Sequence, residues 1–518
     1  MSTALTARRR ADELDALTSR TVDVLVVGGG VTGAGAALDA AARGLSVALV
    51  EERDLAWGTS RWSSKLAHGG LRYLATGDVG VARESARERH VLMTRTAPHL
   101  VRALPQVLPR TPGSGPAQRL TAGVGLGLGD LLRRDARTSS RVLPAPHRAR
   151  PDEVARLFPA VAPAHRAGAW VAHDGQLVDD ARLVVALART AAGLGAVVLT
   201  RTRAVRLAAD GATLQDTGTG ASLTVRARAV VNATGVWAGT VDPSVRLRPS
   251  RGTHVVVPAA RLGGPAGALM VPVPGSRGSR YVFALPVQLG RVIVGLTDEE
   301  APGPVPDVPE PTGPEIDFLL RTVSVALDRP LLPDEVVGAY AGLRPLVDVA
   351  GSGGAASPDV SRKHLVAVSR ATGAVNVLGG KLTTYRAMAR DAVDLAVRHA
   401  GLRSGPCRTA DLPLVGAPGP GDARHLPPGL AARYGAEAAT VLASATVAGA
   451  ADLVGGGAPG TEHLDVTRAE VEWAVTHEGA LDADDVLDRR TRIGLVPADR
   501  EAVADAVREV VDQVLARL

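Results

Sequence analysis

The 518-residue sequence predicts an α/β protein in three parts: a helix-flanked parallel sheet, an inserted antiparallel sheet and a C-terminal helical region. Three observations predict this organisation. Residues 22–51 have the pattern of strand, helix and strand, an apolar period of two begins near residue 246, and helical patterns dominate from residue 429. A chain of this length can form two to four domains with ample core.

The segment 22–51 is typical of a dinucleotide-binding βαβ unit. An apolar strand is followed by a glycine motif, an Ala-rich helix, a second strand and an acid; the motif and acid are Gly28, Gly30, Gly33 and Glu51. The first glycine makes a tight turn, the second lets the backbone approach a pyrophosphate, and the third lets the helix pack on the strand. Val31 and Thr32 begin the helix, whose N-terminus attracts that anion. An acid at Glu51 would take the ribose hydroxyls and argues against NADP.

Two later segments repeat the pattern of a strand that ends in a turn of small residues. In VVNATG (230–235), Ala233 and Gly235 predict a second backbone approach to an adenine dinucleotide. In GGKLTTYR (379–386), glycines precede a predicted helix start, which presents N–H groups to an anionic atom such as the N1–O2 edge of a reduced flavin. Three such turns around an inserted antiparallel sheet favour FAD over NAD.

The remaining elements follow from local patterns. In the first half we expect a Gly/Ser/Thr-rich loop at 52–74, a helix at 79–103, a short helix from 151 and strand–turn–helix at 169–198; residues 110–150 are rich in Pro, Gly and Arg, broken by the apolar GVGLGLGDLL. In the second half we expect three antiparallel strands at 246–300, a helix at 316–327, a hairpin turning at Thr372–Gly373, a helix at 381–400 and a linker at 411–428.

Composition excludes several classes of function. Cys407 is the only cysteine, so an intramolecular disulfide or a Cys metal cluster is impossible. Asp174, Asp179 and Asp180 lack a histidine at ligand spacing; we interpret them as turn and helix-cap residues and expect no metal. The net charge of +6 is scattered, which gives no support for a nucleic-acid partner. No secretory signal and no apolar run of about twenty residues is evident, so we expect a cytoplasmic protein.

Lysine is rare: of the 59 lysine and arginine residues only Lys65, Lys363 and Lys381 are lysines. A chain that otherwise uses arginine is expected to keep lysine where a compact ammonium is needed. The alternative is chance survival of the three residues.

The motifs together closely resemble the FAD-dependent, quinone-linked glycerol-3-phosphate dehydrogenases, within the D-amino-acid-oxidase-like flavoproteins. The resemblance rests on GGGVTGAGAALDAAARGLSVALVE, GTS (58–60), SSKLAHGGLRYL (63–74), NATGVWA, AGLRPL (341–346) and GGKLTTYR. It implies a Rossmann-like FAD-binding domain (20–95, 150–245 and 345–400), an inserted antiparallel substrate domain (96–149 and 246–344) and a C-terminal helical domain (401–518). Residues 105–150 match poorly, and Trp57 and Trp62 replace small residues in the flavin loop.

The resemblance also implies residue roles. Gly28–Gly33 and Glu51 would hold the adenosine and pyrophosphate of FAD; the rest of the cofactor would contact Thr59, Ser60, Ser63, Lys65, Gly70, Leu71, Leu382 and Thr383. The implied substrate residues are His68, Arg72, Tyr73, Arg344, Arg362 and Lys381. Arginine and lysine suit a phosphate dianion. Structural alternatives remain: a hydrogen-bonded structural histidine at His68, an interdomain ion pair at Arg344 and a solvated hairpin edge at Arg362.

The implied reaction is oxidation of sn-glycerol 3-phosphate to dihydroxyacetone phosphate by hydride transfer to FAD, with electrons passed to a membrane quinone. The alternatives are an oxidase that uses oxygen, an amine or amino-acid oxidase, and a flavin-binding redox sensor without turnover. A quinone implies peripheral membrane contact, for which residues 124–132, flanked by Arg133, Arg134 and Arg137, are a candidate; a buried apolar turn is the alternative. The oligomeric state stays open, a homodimer included.

Overall fold

The computed structural model describes residues 2–70, 73, 78–111, 116–274, 280–347, 363–417 and 426–518. In chain order the strands are β1 (Thr21–Val27), β2 (Val47–Val50), β3 (Leu66–Ala67), β4 (Val101–Leu108), β5 (His147–Arg148), β6 (Trp170–Leu177), β7 (Val197–Leu199), β8 (Thr202–Ala208), β9 (Gly211–Asp216), β10 (Ser222–Asn232), β11 (Leu247–Pro258), β12 (Ala268–Pro272), β13 (Tyr281–Val287), β14 (Arg291–Gly295), β15 (Glu299–Glu300), β16 (Gly338–Val347), β17 (Leu365–Val368) and β18 (Val375–Leu378).

The α-helices are α1 (Ala7–Ser19), α2 (Val31–Ala42), α3 (Val79–Val91), α4 (Pro116–Asp135), α5 (Pro151–Leu157), α6 (Pro163–Arg166), α7 (Asp180–Gly193), α8 (Ala238–Val241), α9 (Gly313–Ser324), α10 (Tyr385–His399), α11 (Pro428–Tyr434), α12 (Ala438–Ala443), α13 (Arg468–His477), α14 (Ala483–Asp485) and α15 (Pro497–Leu515). Short 3-10 turns at Thr59–Arg61, Gly235–Trp237 and Leu382–Thr384 lie beside the candidate site.

The first sheet has the order β17-β18-β10-β1-β2-β7, and its central strands β18, β10, β1, β2 and β7 are parallel. Helix α2 packs between α7 and α10 on one face, where small side chains such as Ala37 and Ala188 are fully buried. Helix α1 and the β8–β9 hairpin cover the other face. Burial on both faces explains the continuous apolar runs of these strands.

The second sheet is largely antiparallel, with the order β15-β11-β14-β13-β12-β4-β6-β3, and β16 pairs with β11 over ten residue pairs. Its three predicted strands in 246–300 are β11, β13 and β14, paired antiparallel as expected. Helix α9 packs on this sheet through Leu319 and Val323. The C-terminal helices α13 and α15 form a separate core around Val471 and Val507. The predicted fold class is thereby confirmed; the domain bounds stay a prediction.

One predicted element was wrong, and one helix was not predicted. The expected helix at 79–103 ends as an α-helix at Val91, continues as a π-helical turn to Thr96 and is replaced by strand β4 from Val101. Pro98 disfavours helical geometry at the residue before it, and pairing with β6 takes over from local propensity. The Pro-, Gly- and Arg-rich segment at 110–150, to which no element was assigned, contains the twenty-residue helix α4. In α4, Val124 and Leu131 are 55% and 58% exposed, so the buried apolar turn is excluded.

Candidate active site

The three predicted glycine turns meet along one cavity. They follow β1, β10 and β18, three neighbouring parallel strands, so their carboxyl ends lie at the same edge of the sheet. The cavity has a volume of about 1080 Å³. Its lining includes these residues predicted to contact the cofactor: Gly28, Gly30, Val31, Thr32, Glu51, Thr59, Ser60, Ser63, Gly70, Ala233, Gly235, Leu382 and Thr383.

The glycine motif lets the protein backbone at the start of α2 approach a ligand closely. Gly28 has φ 107°, and a Cβ there would lie 2.6 Å from the Ala233 carbonyl oxygen. A Cβ at Gly33 would lie 1.8 Å from the Gly28 carbonyl oxygen, so helix and turn approach as closely as the sequence predicted. Gly30 is the N-cap of α2 and carries no capping side chain. The helix start therefore offers an anion in the cavity its positive dipole end and its backbone N–H groups, except that of Val31, which donates to Ser60 Oγ.

Glu51 lies directly beneath this turn. Its carboxylate accepts hydrogen bonds from the Gly29 N–H at 2.6 Å and from the Arg53 N–H at 2.9 Å. Burial raises the pKa of Glu51 to about 7, and the neighbouring Asp54 and Glu52 act in the same direction. The group is thus poised between its neutral and ionised forms near physiological pH.

The two asparagines brace the second turn. Asn232 and Asn376 are paired in register on β10 and β18, and the Asn232 Nδ2 donates to Asn376 Oδ1 at 2.8 Å. Asn232 Oδ1 in turn accepts from the Thr234 N–H and hydroxyl. Neither asparagine had a role predicted from the sequence, although their rarity was a signal. They fix the turn that carries Ala233 and Gly235.

Residues 57–65, here named the 57–65 loop, line the cavity and contact the start of α2. The Ser60 hydroxyl accepts from the Val31 N–H at 2.9 Å, and Thr59 Oγ1 donates to the Leu343 carbonyl at 2.6 Å. Lys65 was predicted to contact the cofactor, but its side chain is buried in an ion pair. Its side chain is 1% exposed, and its ammonium lies 3.0 Å from Asp180 Oδ1.

The predicted substrate side chains that are described lie around the same cavity: His68, Tyr73, Arg344 and Lys381. The Lys381 ammonium donates to Ser85 Oγ at 2.5 Å and lies 4.0 Å from the centroid of the Tyr73 ring. The His68 N–H donates to Thr383 Oγ1 at 3.2 Å. Leu71, Arg72 and Arg362 lie outside the described residues, so their roles stay predictions.

Arg344 is held in a fixed orientation on β16. Its guanidinium donates to Asp298 Oδ1 at 2.9 Å, to Ser250 Oγ at 3.1 Å and to the Thr297 carbonyl at 3.1 Å. All three partners are on or beside β11 of the same sheet. The ion pair is therefore formed within the substrate sheet, and Arg344 still lines the cavity.

The structure revises the interpretation of one member of the acidic cluster. Asp179 caps α7 and accepts from the N–H groups of Ala181 and Arg182, as expected. Asp174 lies in strand β6 rather than in a turn, where it pairs with Arg89 at 2.6 Å and accepts from the Gly69 N–H. It thus anchors the turn that precedes Gly70.

His254 lines the cavity and was missed by the sequence analysis. Its Nε2 lies 2.8 Å from Ser64 Oγ, and its ring stacks on Tyr340 with centroids 4.7 Å apart. Burial lowers the pKa of His254 to about 3, with Lys65 and Arg344 contributing, so the ring is neutral. A lone histidine in the apolar strand THVVVPA was the available signal. Strand alternation cannot say whether such a side chain faces core or cavity.

These features fit a dinucleotide cofactor. The pyrophosphate would lie at Gly30 and the α2 N-terminus, and the ribose at Glu51, where a Cβ at Gly29 would lie only 2.8 Å from Glu51 Cβ. The same cavity is also lined by Ser63, Leu382 and Thr383 and by the cations Arg344 and Lys381. Within the described residues, His, Cys, Asp and Glu side chains form no group of three that could hold a metal ion.

Comparisons with known proteins match the whole chain. Residues 23–395 match a family model described as FAD dependent oxidoreductase, and residues 407–518 match the C-terminal domain of alpha-glycerophosphate oxidase. The chain is 54% identical to glycerol-3-phosphate dehydrogenase 1 of Mycobacterium tuberculosis over 515 residues, which cover 98% of both chains. A mitochondrial glycerol-3-phosphate dehydrogenase of Arabidopsis thaliana is 34% identical, with 98% of this chain and 85% of that protein covered.

Among solved structures, the chain is similar to the X-ray structure of the glycerol-3-phosphate dehydrogenase from Bacillus halodurans complexed with FAD. The TM-score is 0.72 at 26% identity, and the match covers 99% of this chain and 96% of that chain. The likeness therefore extends over both sheets and the C-terminal helices.

Proposed function

Because the chain belongs to the family of FAD-dependent glycerol-3-phosphate dehydrogenases, we propose that it binds FAD and oxidises sn-glycerol 3-phosphate to dihydroxyacetone phosphate. One observation carries the proposal beyond family membership: the dinucleotide cradle and the cations Arg344 and Lys381 line the same cavity. Bound FAD supplies the acceptor for the hydride of the C2–H bond. All other tasks fall to the side chains of this protein.

The substrate requires positive charge to bind its phosphate and side chains that orient its C2 hydroxyl. Glycerol 3-phosphate carries a phosphate dianion, for which Arg344 and Lys381 supply positive charge, with Arg72 and Arg362 as further proposed partners. The three hydrogen bonds on Arg344 fix its guanidinium before substrate binds, which lowers the entropy cost of forming the phosphate contact. His68 and the neutral His254 are the imidazoles available to orient the C2 hydroxyl.

We further propose that a membrane quinone accepts the electrons and that α4 contacts the bilayer. Val124, Leu128 and Leu131 share one face of α4 by their spacing of four and three residues and are 55%, 44% and 58% exposed. Val124 and Leu128 also line the cavity, which connects the exposed apolar face with the site of oxidation. Arg134 and Arg137 are exposed beside this face, whereas Arg133 is buried against Asp130. None of the described helices has the length and apolar character that a membrane span requires.

This proposal predicts binding to anionic liposomes in a flotation assay, weakening as salt screens the arginines. The double variant Leu128→Gln with Leu131→Gln should reduce the bound fraction severalfold, because two exposed apolar side chains no longer transfer into lipid. Leu332→Gln is the matched control, since Leu332 is 54% exposed at a site remote in sequence from α4. Equal flotation of all three proteins would contradict the role of α4.

A second prediction concerns pH. If the ribose hydroxyls donate to ionised Glu51, FAD binding must first remove the proton from a carboxyl whose pKa is about 7. FAD affinity should therefore fall with decreasing pH, by up to about tenfold per unit below pH 7. Flavin fluorescence titrations between pH 5 and 8 measure this. Glu51→Gln should bind more weakly with no such slope, and a parent protein with pH-independent affinity would contradict the role of Glu51.

The function is tested directly on purified protein. We expect the purified protein to show flavin absorbance and to release the flavin on heating or in acid. The flavin should be bound non-covalently, since Cys407 is the only cysteine and belongs to none of the flavin segments. Turnover of glycerol 3-phosphate with a quinone analogue should exceed turnover with oxygen, whereas stoichiometric hydrogen peroxide would identify the oxidase instead. Folded protein that stays colourless and gains no activity with added FAD would refute the proposal.

A further inference from the structure

The 57–65 loop is held by hydrogen bonds to one buried carboxylate, that of Asp180. Asp180 Oδ2 accepts from both the N–H and the hydroxyl of Ser63, at 3.0 Å and 2.7 Å, while Asp180 Oδ1 receives the Lys65 ammonium. Lys65 has φ 55°, an uncommon backbone conformation for a lysine. One carboxylate thus holds both ends of the turn that carries Ser63 and Ser64 into the cavity wall.

A second buried carboxylate lies beside the first and needs a second cation. Asp179 and Asp180 are both fully buried at the start of α7, and Lys65 is 3.9 Å from Asp179 Oδ2. Adjacent buried carboxylates repel each other, and burial together with Asp180 raises the pKa of Asp179. The second cation is Arg492, whose Nε lies 3.2 Å from Asp179 Oδ2. Two carboxylates and two cations balance in charge.

Arg492 also contacts the loop directly. It lies just before α15, in the region matched by the C-terminal family model, with φ 66° and 1% exposure. One of its terminal nitrogens donates to the Arg61 carbonyl at 2.6 Å, and the other donates to the Asp488 carbonyl at 2.5 Å. Its guanidinium lies 5.3 Å from the centroid of the Trp62 ring. A single side chain therefore joins the C-terminal region, α7 and the loop.

Two neighbouring arginines strengthen the same connection. Arg490 forms two hydrogen bonds of 2.8 Å with Asp54, and Arg489 reaches Asp54 at 2.5 Å. The Arg489 guanidinium also lies 4.9 Å from the centroid of Trp57. The C-terminal segment thus contacts the chain on both sides of the 3-10 turn that carries Thr59 and Ser60. The tryptophans that depart from the family pattern in this loop lie against these C-terminal arginines.

We propose that Arg492 is a positioning residue through which the C-terminal region holds the 57–65 loop in the conformation that binds FAD. The inference rests on the proposed FAD binding, since the cavity face of this loop carries Thr59, Ser60 and Ser63. Without Arg492, Asp179 shares Lys65 with Asp180, the Arg61 carbonyl loses its donor, and the loop gains conformations that do not fit the cofactor.

The test compares Arg492→Met with Arg433→Met in the full-length protein. Arg433 is equally buried in the C-terminal region, and it pairs with Glu470 and Asp465, neither of which belongs to the 57–65 loop. Both variants should lower the melting temperature. Only Arg492→Met should weaken FAD binding, by about tenfold or more, because the charge-assisted hydrogen bond to the Arg61 carbonyl and the ion pair with Asp179 are both removed. Only this variant should also accelerate amide hydrogen exchange within residues 57–65.

Parent-like FAD affinity and exchange in Arg492→Met, or equal losses in Arg433→Met, would overturn the proposal. Should Arg492→Met fail to fold, Arg492→Lys carries the test, because an ammonium can keep the Asp179 pair but cannot also reach both carbonyls. A dissociation constant raised about threefold or more would support the proposal, and an unchanged one would overturn it. If the parent bound no FAD, the proposed function would fail, while exchange in the cofactor-free proteins would still decide whether Arg492 orders the loop.

Discussion

Lys381→Arg is expected to retain FAD but to lose most of its turnover, and Lys381→Ala to lose slightly more. The Lys381 ammonium fits between Ser85 Oγ, at 2.5 Å, and the face of Tyr73, at 4.0 Å from its centroid. A planar guanidinium is larger and donates in a fixed fork, so it cannot occupy this position without displacing one neighbour. We expect kcat/KM to fall by about one to two decades.

Steady-state kinetics with glycerol 3-phosphate, together with the flavin content of each variant, measure this effect. Lys363→Arg is the matched control, because the Lys363 side chain is 63% exposed and lies 3.3 Å from Asp78. Near-normal turnover of Lys381→Arg would show that this position supplies only diffuse positive charge. The catalytic assignment would then have to be withdrawn.

Glycerol is expected to be a far poorer substrate than glycerol 3-phosphate. The cations Arg344 and Lys381 line the cavity, and the absence of each charge-assisted hydrogen bond to the phosphate should cost about 1.5–3 kcal/mol. Each such cost corresponds to about one to two decades in kcat/KM. The ratio of kcat/KM for the two compounds, measured with one electron acceptor, gives the total contribution of the phosphate.

A variant separates this charge effect from simple disruption of the active fold. Arg344→Met should lower kcat/KM for glycerol 3-phosphate by at least about tenfold and change that for glycerol much less. Arg248→Met, on β11 of the same sheet and paired with the exposed Glu300, should leave both values unchanged. Equal efficiency with both compounds would rule out a phosphate clamp.

Local sequence alone determined the glycine turn and the acid that line one part of the cavity. Gly28, Gly30, Gly33 and Glu51 form a contiguous βαβ unit, whose geometry follows from strand and helix periods and from the absence of a Cβ at the glycines. The three-part organisation was also predictable, because continuous apolar strands, strands with an apolar period of two and helical patterns each mark one part of the chain. The turn at Ala233 and Gly235 could also be predicted from the sequence, because an apolar strand ends there in small residues. The structure shows that this turn lines the cavity.

Tertiary structure decided which segments distant in sequence contact each other. Helix α3 ends early because β4 pairs with β6, and α4 forms in a Pro-, Gly- and Arg-rich segment whose sequence did not predict a helix. Lys65 was expected at the cofactor, yet it is buried on Asp180, which is 115 residues away in sequence. His254 and Arg492 gave no local signal of their contacts. Ion pairing and side-chain orientation depend on which charges the fold brings within a few ångströms, and no local period encodes that distance.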